Sequence, residues 1–320
     1  MKKKETIVYA GRLKDNEKLM KSSSGGAFTA ISDVFLKNGD AVICSVYDYE
    51  LKKLTFKLVT SEAERNSARE SKYMWSTMGE IFAKSEEWLL LHTDKNIMFI
   101  GMRCQTEAFR KYMEIRHLRD RVFLVDLICH GMPSKMVWKD YVNYLENKAG
   151  KITEIHFRDK RNGWNKPTAV AIAGKKEYSI QEYLNIYYSG CIYRPSCHEC
   201  SFAKIRSDSD ITVGDFWRIE ETMPEFYDPK GCSAFLVHTE RGEELFEQIE
   251  PVLDYRKSSI EMCWQQNLER PTEASKQRHK FWQDYKRYEM DYIINKYGRE
   301  RWSIVKKAIR KVKMHLIPGA

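Results

Sequence analysis

Nowhere in its 320 residues does the chain carry a run of about eighteen apolar residues, so no segment reads as a membrane-crossing helix. The start, Met1-Lys2-Lys3-Lys4-Glu5-Thr6-Ile7-Val8, lacks the apolar stretch and small-residue cleavage site of a secretory leader. The expected compartment is therefore the cytoplasm, where reducing conditions argue against stable disulfides among the eight cysteines. Common nucleotide signatures are missing too: there is no GxGxxG, no GxxxxGK followed by Ser or Thr, and no GxSxG. Any flavin or nucleotide is thus not held in the ordinary Rossmann or P-loop manner. No internal repeat and no low-complexity segment occurs.

What is present is enough for a globular protein. With 42% hydrophobic and 12% aromatic residues, the chain can bury a sizeable core, and its length suggests two lobes. The formal charge of +9 invites a nucleic-acid reading, but its distribution argues against one. Residues 296–313 hold eight Lys or Arg against Glu300 alone, and Lys2, Lys3 and Lys4 add three, which leaves the rest near −1. A nearly neutral body is not built to track a phosphate backbone, so no nucleic-acid partner is expected.

Along the chain, Thr6 to Ala10 reads as a strand. Lys21-Ser22-Ser23-Ser24-Gly25-Gly26 then reads as a loop feeding a helix in which Phe28, Ile31 and Phe35 recur at helical spacing until Asn38-Gly39. Ala41 to Tyr47 and Leu54 to Val59 look like strands, and a helical region carrying Ser71-Lys72-Tyr73-Met74-Trp75-Ser76 follows. The apolar runs 96–100 and 122–128 alternate with helical segments, the pattern of parallel strands in a layered α/β lobe. A helix from Pro133-Ser134 to Gly150 precedes strand-like alternation at 152–157 and 168–172. The expected organisation is α/β, or α+β overall: a layered lobe over 1–150, a smaller mixed lobe over 151–255, and a basic helical tail over 256–320.

The sharpest local signal is Arg194-Pro195-Ser196-Cys197-His198-Glu199-Cys200, because two cysteines three apart can place both thiolates on one metal or cluster. A thioredoxin-like dithiol, a structural zinc ion and an iron–sulfur cluster all use such a pair. A thioredoxin-like motif would sit between a strand and a helix of a small domain, which this context does not match. Covalent haem needs His directly after the second cysteine, where Ser201 stands. Structural zinc normally brings a second close pair, and none exists, yet a zinc-stabilised binding or scaffold protein remains the competing reading. A cluster needs two more thiolates, and Cys104 and Cys129 each follow a strand-like run, at the strand ends where α/β folds place their sites. Cys191 is near only in sequence. Cys44, Cys232 and Cys263 read as small core residues. His130 and His198 adjoin proposed ligands and are read as shaping their surroundings.

The loop Ser22 to Gly26 before a helix is an anion-site pattern, since hydroxyls and free backbone N–H groups meet there and glycine permits close approach. The competing reading is plain serine capping with a flexible turn. On the anion-site reading, bulkier residues at Gly25 and Gly26 are expected to weaken flavin binding more than folding.

Together these segments resemble the beta-subunit family of coenzyme F₄₂₀ hydrogenase/dehydrogenase. The resemblance runs through Lys21–Gly26 with Ala27-Phe28-Thr29-Ala30, Ser71-Lys72-Tyr73, Gly101-Met102-Arg103-Cys104-Gln105 and Asp126–Ser134. It continues through Phe157-Arg158-Asp159-Lys160 with Gly163-Trp164, Arg194–Cys200, Ser209–Trp217 and Gly231–Val237, covering about residues 7–250. It implies an FAD-binding oxidoreductase, or an electron-transfer subunit of one, with a 4Fe-4S cluster beside the flavin. Electrons would pass between one-electron carriers and a two-electron acceptor. Carried over by position, it implies Cys104, Cys129, Cys197 and Cys200 as cluster ligands. Ser23, Ser24, Gly25, Gly26, Lys72, Gly101, Gln105, Gly214 and Asp215 would line the flavin site, with Gly214-Asp215 closing it from the second lobe. Arg103 stands where the family usually has Pro, which changes loop stiffness or adds charge beside the cofactor. Many bacterial relatives carry an upstream ferredoxin-like cysteine run that this chain lacks, so a ferredoxin-like carrier or partner subunit is expected to hold any second cluster. Use of coenzyme F₄₂₀ does not follow, because many bacterial relatives show no need for that deazaflavin. Members of this branch accompany surface-polysaccharide enzymes, which makes a sugar-linked substrate an expectation.

In the tail, Trp302, Val305, Ala308, Ile309, Val312 and Leu316 fall on one side of a helical wheel, and Lys306, Lys307, Arg310, Lys311 and Lys313 on the other. A basic amphipathic helix of this kind is expected either to pack on the second lobe or to rest on an anionic membrane surface at the inner face.

Overall fold

The computed structural model describes residues 5–299. The basic tail helix expected around Trp302 to Leu316 lies outside the described residues.

Among the described residues the strands are β1 Ile7–Leu13, β2 Ala41–Asp48, β3 Lys53–Val59, β4 Ser76–Thr77, β5 Ile97–Met102, β6 Val122–Leu127, β7 Ile152–Asp159, β8 Thr168–Ala173, β9 Lys176–Ser179, β10 Ile211–Asp215, β11 Ser233–Val237 and β12 Leu253–Ser258. They form a nine-stranded sheet in the order β12-β1-β11-β10-β6-β5-β2-β3-β4 and a three-stranded sheet β7-β8-β9. The middle of the large sheet, β2-β5-β6-β10, is parallel, and the remainder is mostly antiparallel.

The central strands read as unbroken apolar runs because both faces are covered. Val42, Met98, Ile100, Phe123 and Val125 point to one side, where they pack with Ile31 and Phe35 of the helix Ala27–Lys37 and Phe246 and Ile249 of the helix Glu240–Ile249. Ile43, Phe99 and Leu124 alternate to the other, against Leu89 of the helix Ile81–Leu91 and Phe109 and Met113 of the helix Arg103–Ile115. The result is the layered α/β architecture expected. A further core joins the helix Lys135–Ala149, the small sheet and the helix Gln181–Tyr188 through Trp138, Tyr141, Phe157 and Tyr183.

Residue 150 ends that long helix, and the small sheet begins there. The chain then returns to the large sheet at β10 and β11, and residue 255 lies within β12, so the large sheet draws strands from both sides of residue 150. After Ser258 comes an irregular stretch with one short turn of helix, Gln266–Leu268, before the helix Arg278–Arg287.

One local expectation differs. The stretch Ser71–Ser76 is not helical; the helix Glu62–Asn66 stops early and the chain runs irregularly to β4. Glu70 takes a positive φ of 68°, and the Lys72 ammonium donates to the carbonyls of Ala68, at 2.9 Å, and Arg69, at 2.6 Å, replacing the bonds a helix would supply.

Candidate cofactor site

Register brings the distant cysteines together. In the parallel pair β5/β6, Met102 lies opposite Leu127, so Cys104 and Cys129, each two residues further on, emerge at the same edge of the sheet. Val213 of β10 is also opposite Leu127, which sets Gly214 and Asp215 at that edge. The third loop is held by a short ladder: Ser134 donates to Ile192 O, at 2.8 Å, and Arg194 donates to Met132 O, at 2.9 Å. Pro195 opens a turn of 3₁₀-helix that presents Cys197, and Cys200 follows.

All four cysteines line one small cavity of about 40 Å³ together with Phe202, Asn267, Leu268, Pro271 and Thr272. Cys104 is exposed; Cys129, Cys197 and Cys200 are partly buried. The backbone N–H of Met132 points at Cys197 Sγ from 3.3 Å. Burial pushes the Cys129 thiol up to about 12, and the nearby Cys197, Cys104 and Cys200 push the same way. Although its side chain reaches the surface, the Cys104 thiol is raised by the protein packed around it and by Cys200 and Cys197. At Cys104 and Cys129 a thiolate therefore needs a cation to accompany it.

Whether the group fits one zinc ion is a matter of distance, since zinc holds sulfur at about 2.3 Å around a single point. Among the described residues no three His, Cys, Asp or Glu side chains gather that tightly. Four thiols spaced around a small cavity suit a multi-iron cage, whose ligands bind different irons. Cys191 takes no part; it is fully buried in the aromatic core, and its carbonyl accepts from Trp282 Nε1 at 3.0 Å. Cys232 and Cys263 are buried core residues, and Cys44 is buried in β2.

A larger cavity of about 230 Å³ shares walls with the first at Met102, Leu127, Ile128, Cys129, His130, Gly131 and Met132. Ser23, Ser24, Gly26, Lys72, Gly101, Gly214 and Asp215 line it, whereas Gly25 and Gln105 do not. The first turn of the helix Ala27–Lys37 opens onto it through Ala27, Phe28 and Thr29, and no side chain caps that end. Free N–H groups and the positive end of a helix there favour an anion.

The Ser-Ser-Gly-Gly loop is braced on every side. Ser23 Oγ meets Ser71 Oγ at 2.9 Å, Ser24 Oγ donates to Cys232 O at 2.5 Å, and Gly25 N donates to Ser233 Oγ at 2.9 Å. A Cβ on Gly25 would stand 2.1 Å from Gly11 O and 2.6 Å from Ser233 N. Gly25 therefore also has a folding role that sequence reasoning did not supply: it must be glycine because it wedges between β1 and β11. Gln105 is likewise a structural bracket, accepting from Met102 N at 3.0 Å and donating to Ser76 Oγ at 2.8 Å.

Some side chains were missed by sequence reasoning. Lys160 is buried and donates to Leu19 O, at 2.9 Å, and Ser24 O, at 2.5 Å, tying the small sheet to the serine loop; burial lowers it to about 7. Arg158, two residues earlier, pairs with Asp215, which also accepts from Trp164 Nε1 at 2.8 Å. Two cations spaced by two, one at the end of β7 and one in the turn that follows, were the available signal. Burial lowers Lys72 to about 8 and pushes His130 below its usual value. Arg103 stiffens the site: it pairs with buried Asp126 at 3.3 Å and donates to Phe202 O at 3.2 Å, strapping the loop after Cys200 to the sheet.

Comparisons with known proteins agree with this geometry. The model of the coenzyme F₄₂₀ hydrogenase/dehydrogenase beta subunit N-terminal part matches residues 8–83, and that of the C-terminal part matches residues 94–260. A chain of the F₄₂₀-reducing NiFe hydrogenase complex from Methanosarcina barkeri shares the fold, with a TM-score of 0.55 and 19% identity over 79% of this chain and 82% of that one. No curated protein matches the chain. With both halves of the family represented in order, the chain belongs to the coenzyme F₄₂₀ hydrogenase/dehydrogenase beta-subunit family, an oxidoreductase family with an electron-transfer role.

Proposed function

We propose that this chain is an iron–sulfur flavoprotein that passes electrons between a one-electron carrier or partner subunit and a two-electron acceptor. Cys104, Cys129, Cys197 and Cys200 would hold a 4Fe-4S cluster, and the larger cavity would hold FAD. The observation that carries the reading is the shared wall: a four-cysteine cavity and a cavity with an anion-favouring helix end meet at Cys129 to Met132.

Each residue has a part that its surroundings support. The open N–H groups of Ala27 to Thr29 and the Ser23 and Ser24 backbone would receive the flavin phosphates. Lys72, whose charge burial disfavours, would regain it beside an anion. His130 lines both cavities, and burial disfavours its charged form, which leaves a ring nitrogen able to accept as well as one to donate between them. Met132 N–H would stabilise charge on the Cys197 sulfur. When bound, the flavin supplies the exchange between hydride and single electrons. The exposed Cys104 is the side at which a ferredoxin-like carrier or partner subunit would approach, and a sugar-linked acceptor is proposed on the family resemblance. Coenzyme F₄₂₀ is not required by this scheme.

Anaerobic purification tests it. A brown protein with broad visible absorbance and releasable flavin is the expected result. A colourless protein holding zinc would overturn it in favour of a zinc-stabilised scaffold.

A further inference from the structure

We infer that Thr272 is a positioning residue that clasps the two cysteine-bearing loops together around the cluster. It lies beyond residue 260, where the family match ends, in the irregular stretch that follows β12. The inference rests on the cluster reading above.

Although that stretch has little regular structure, it is firmly placed. Cys263 and Leu268 are fully buried, and Gln265 Nε2 donates to Asp215 O at 3.1 Å. Asn267, Leu268, Pro271 and Thr272 then form one wall of the cysteine cavity. Thr272 is engaged through both its hydroxyl and its carbonyl. Its hydroxyl donates to His130 O at 2.6 Å and accepts from Asn267 Nδ2 at 3.0 Å, while its carbonyl accepts from His198 Nδ1 at 2.9 Å. A carbonyl can only accept, so Nδ1 of His198 carries the proton.

Those partners lie on the two ligand loops. His130 directly follows Cys129, and His198 sits between Cys197 and Cys200. One residue thus fixes the spacing between ligands that the sequence separates by about seventy positions, and partners just outside a metal's ligands orient those ligands. Removing the hydroxyl while keeping the shape would leave the His130 carbonyl and the Asn267 amide unpaired and free the Cys129 loop to drift.

The test compares anaerobically reconstituted wild type, Thr272→Val and Thr272→Ser, reading the rate of iron release to a chelator and the cluster midpoint potential. Thermal melting of the three apoproteins serves as the folding control. Thr272→Val should release iron roughly ten- to a hundredfold faster and shift the potential, while its apoprotein still melts cooperatively, only a few degrees below wild type. Thr272→Ser, which keeps the hydroxyl, should stay within about threefold of wild type. If Thr272→Val does not fold, Thr272→Ala carries the comparison: a severalfold faster release supports the clasp, and a wild-type rate overturns it. Wild-type rate and potential in the folded variant would overturn the inference with the cofactor reading intact. A wild type that takes up no cluster would overturn the cofactor reading itself.

Discussion

Cys191 and Cys104 separate two ways of completing the ligand set. Sequence proximity favours Cys191, but it is sealed in the aromatic core, whereas Cys104 shares a cavity with the other three. Cys104→Ser and Cys197→Ser should each lose most of the iron measured after anaerobic purification, and Cys191→Ser should keep it; the reverse pattern would displace Cys104 from the site. Lys72 gives a second residue-scale prediction. Its value of about 8 in the free protein would rise beside the flavin phosphates, so binding takes up a proton. Affinity for FAD, titrated against the apoprotein, should therefore fall as pH rises above about 8, and Lys72→Met should flatten that slope. His156 reports on the same wall. Its bond to the Glu70 carboxylate, at 3.0 Å, raises it from 6.5 to about 9. A raised folded value means the stabilisation is complete below pH 6.5 and is lost as pH climbs through about 9. The melting temperature should drop across that window, and His156→Gln should drop less.

At the scale of elements, much was legible because burial leaves a plain pattern. The unbroken apolar runs of β5 and β6 announced parallel strands covered on both faces, and the close cysteine pair pointed to the loop that lines the four-cysteine cavity. What could not be read was register. Cys104 and Cys129 converge because Met102 pairs with Leu127, a fact of the fold and not of either motif. The serine loop drew two readings for one reason: both an anion cradle and a tight wedge call for glycine. The two can be told apart. Gly25→Ala should destabilise the protein by on the order of 3 kcal/mol, because its Cβ meets backbone that cannot yield. Ser23→Ala, which removes a hydroxyl facing the cavity, should weaken FAD binding by about 1 kcal/mol with little change in melting. Equal losses of stability in both variants would contradict the distinction.

At the scale of the whole molecule, the two cavities proposed as cofactor sites lie at the carboxyl edge of the parallel strands and are completed from outside the sheet, by Arg158 and Lys160 at the end of β7 and by the stretch after β12 through Thr272. No described helix is long and apolar enough to cross a membrane. The basic charge at 296–313 remains a matter of sequence, and its test is co-sedimentation with anionic and neutral vesicles. The full chain should bind anionic vesicles at low salt and a chain ending near Tyr297 should not. The central claim is a four-iron cluster on four named cysteines, and low-temperature electron paramagnetic resonance of the reduced, anaerobically purified protein tests it most directly. The account predicts a cluster signal in wild type and in Cys191→Ser that is lost in Cys129→Ser. A silent wild type that contains zinc, or a signal unchanged in Cys129→Ser, would contradict it.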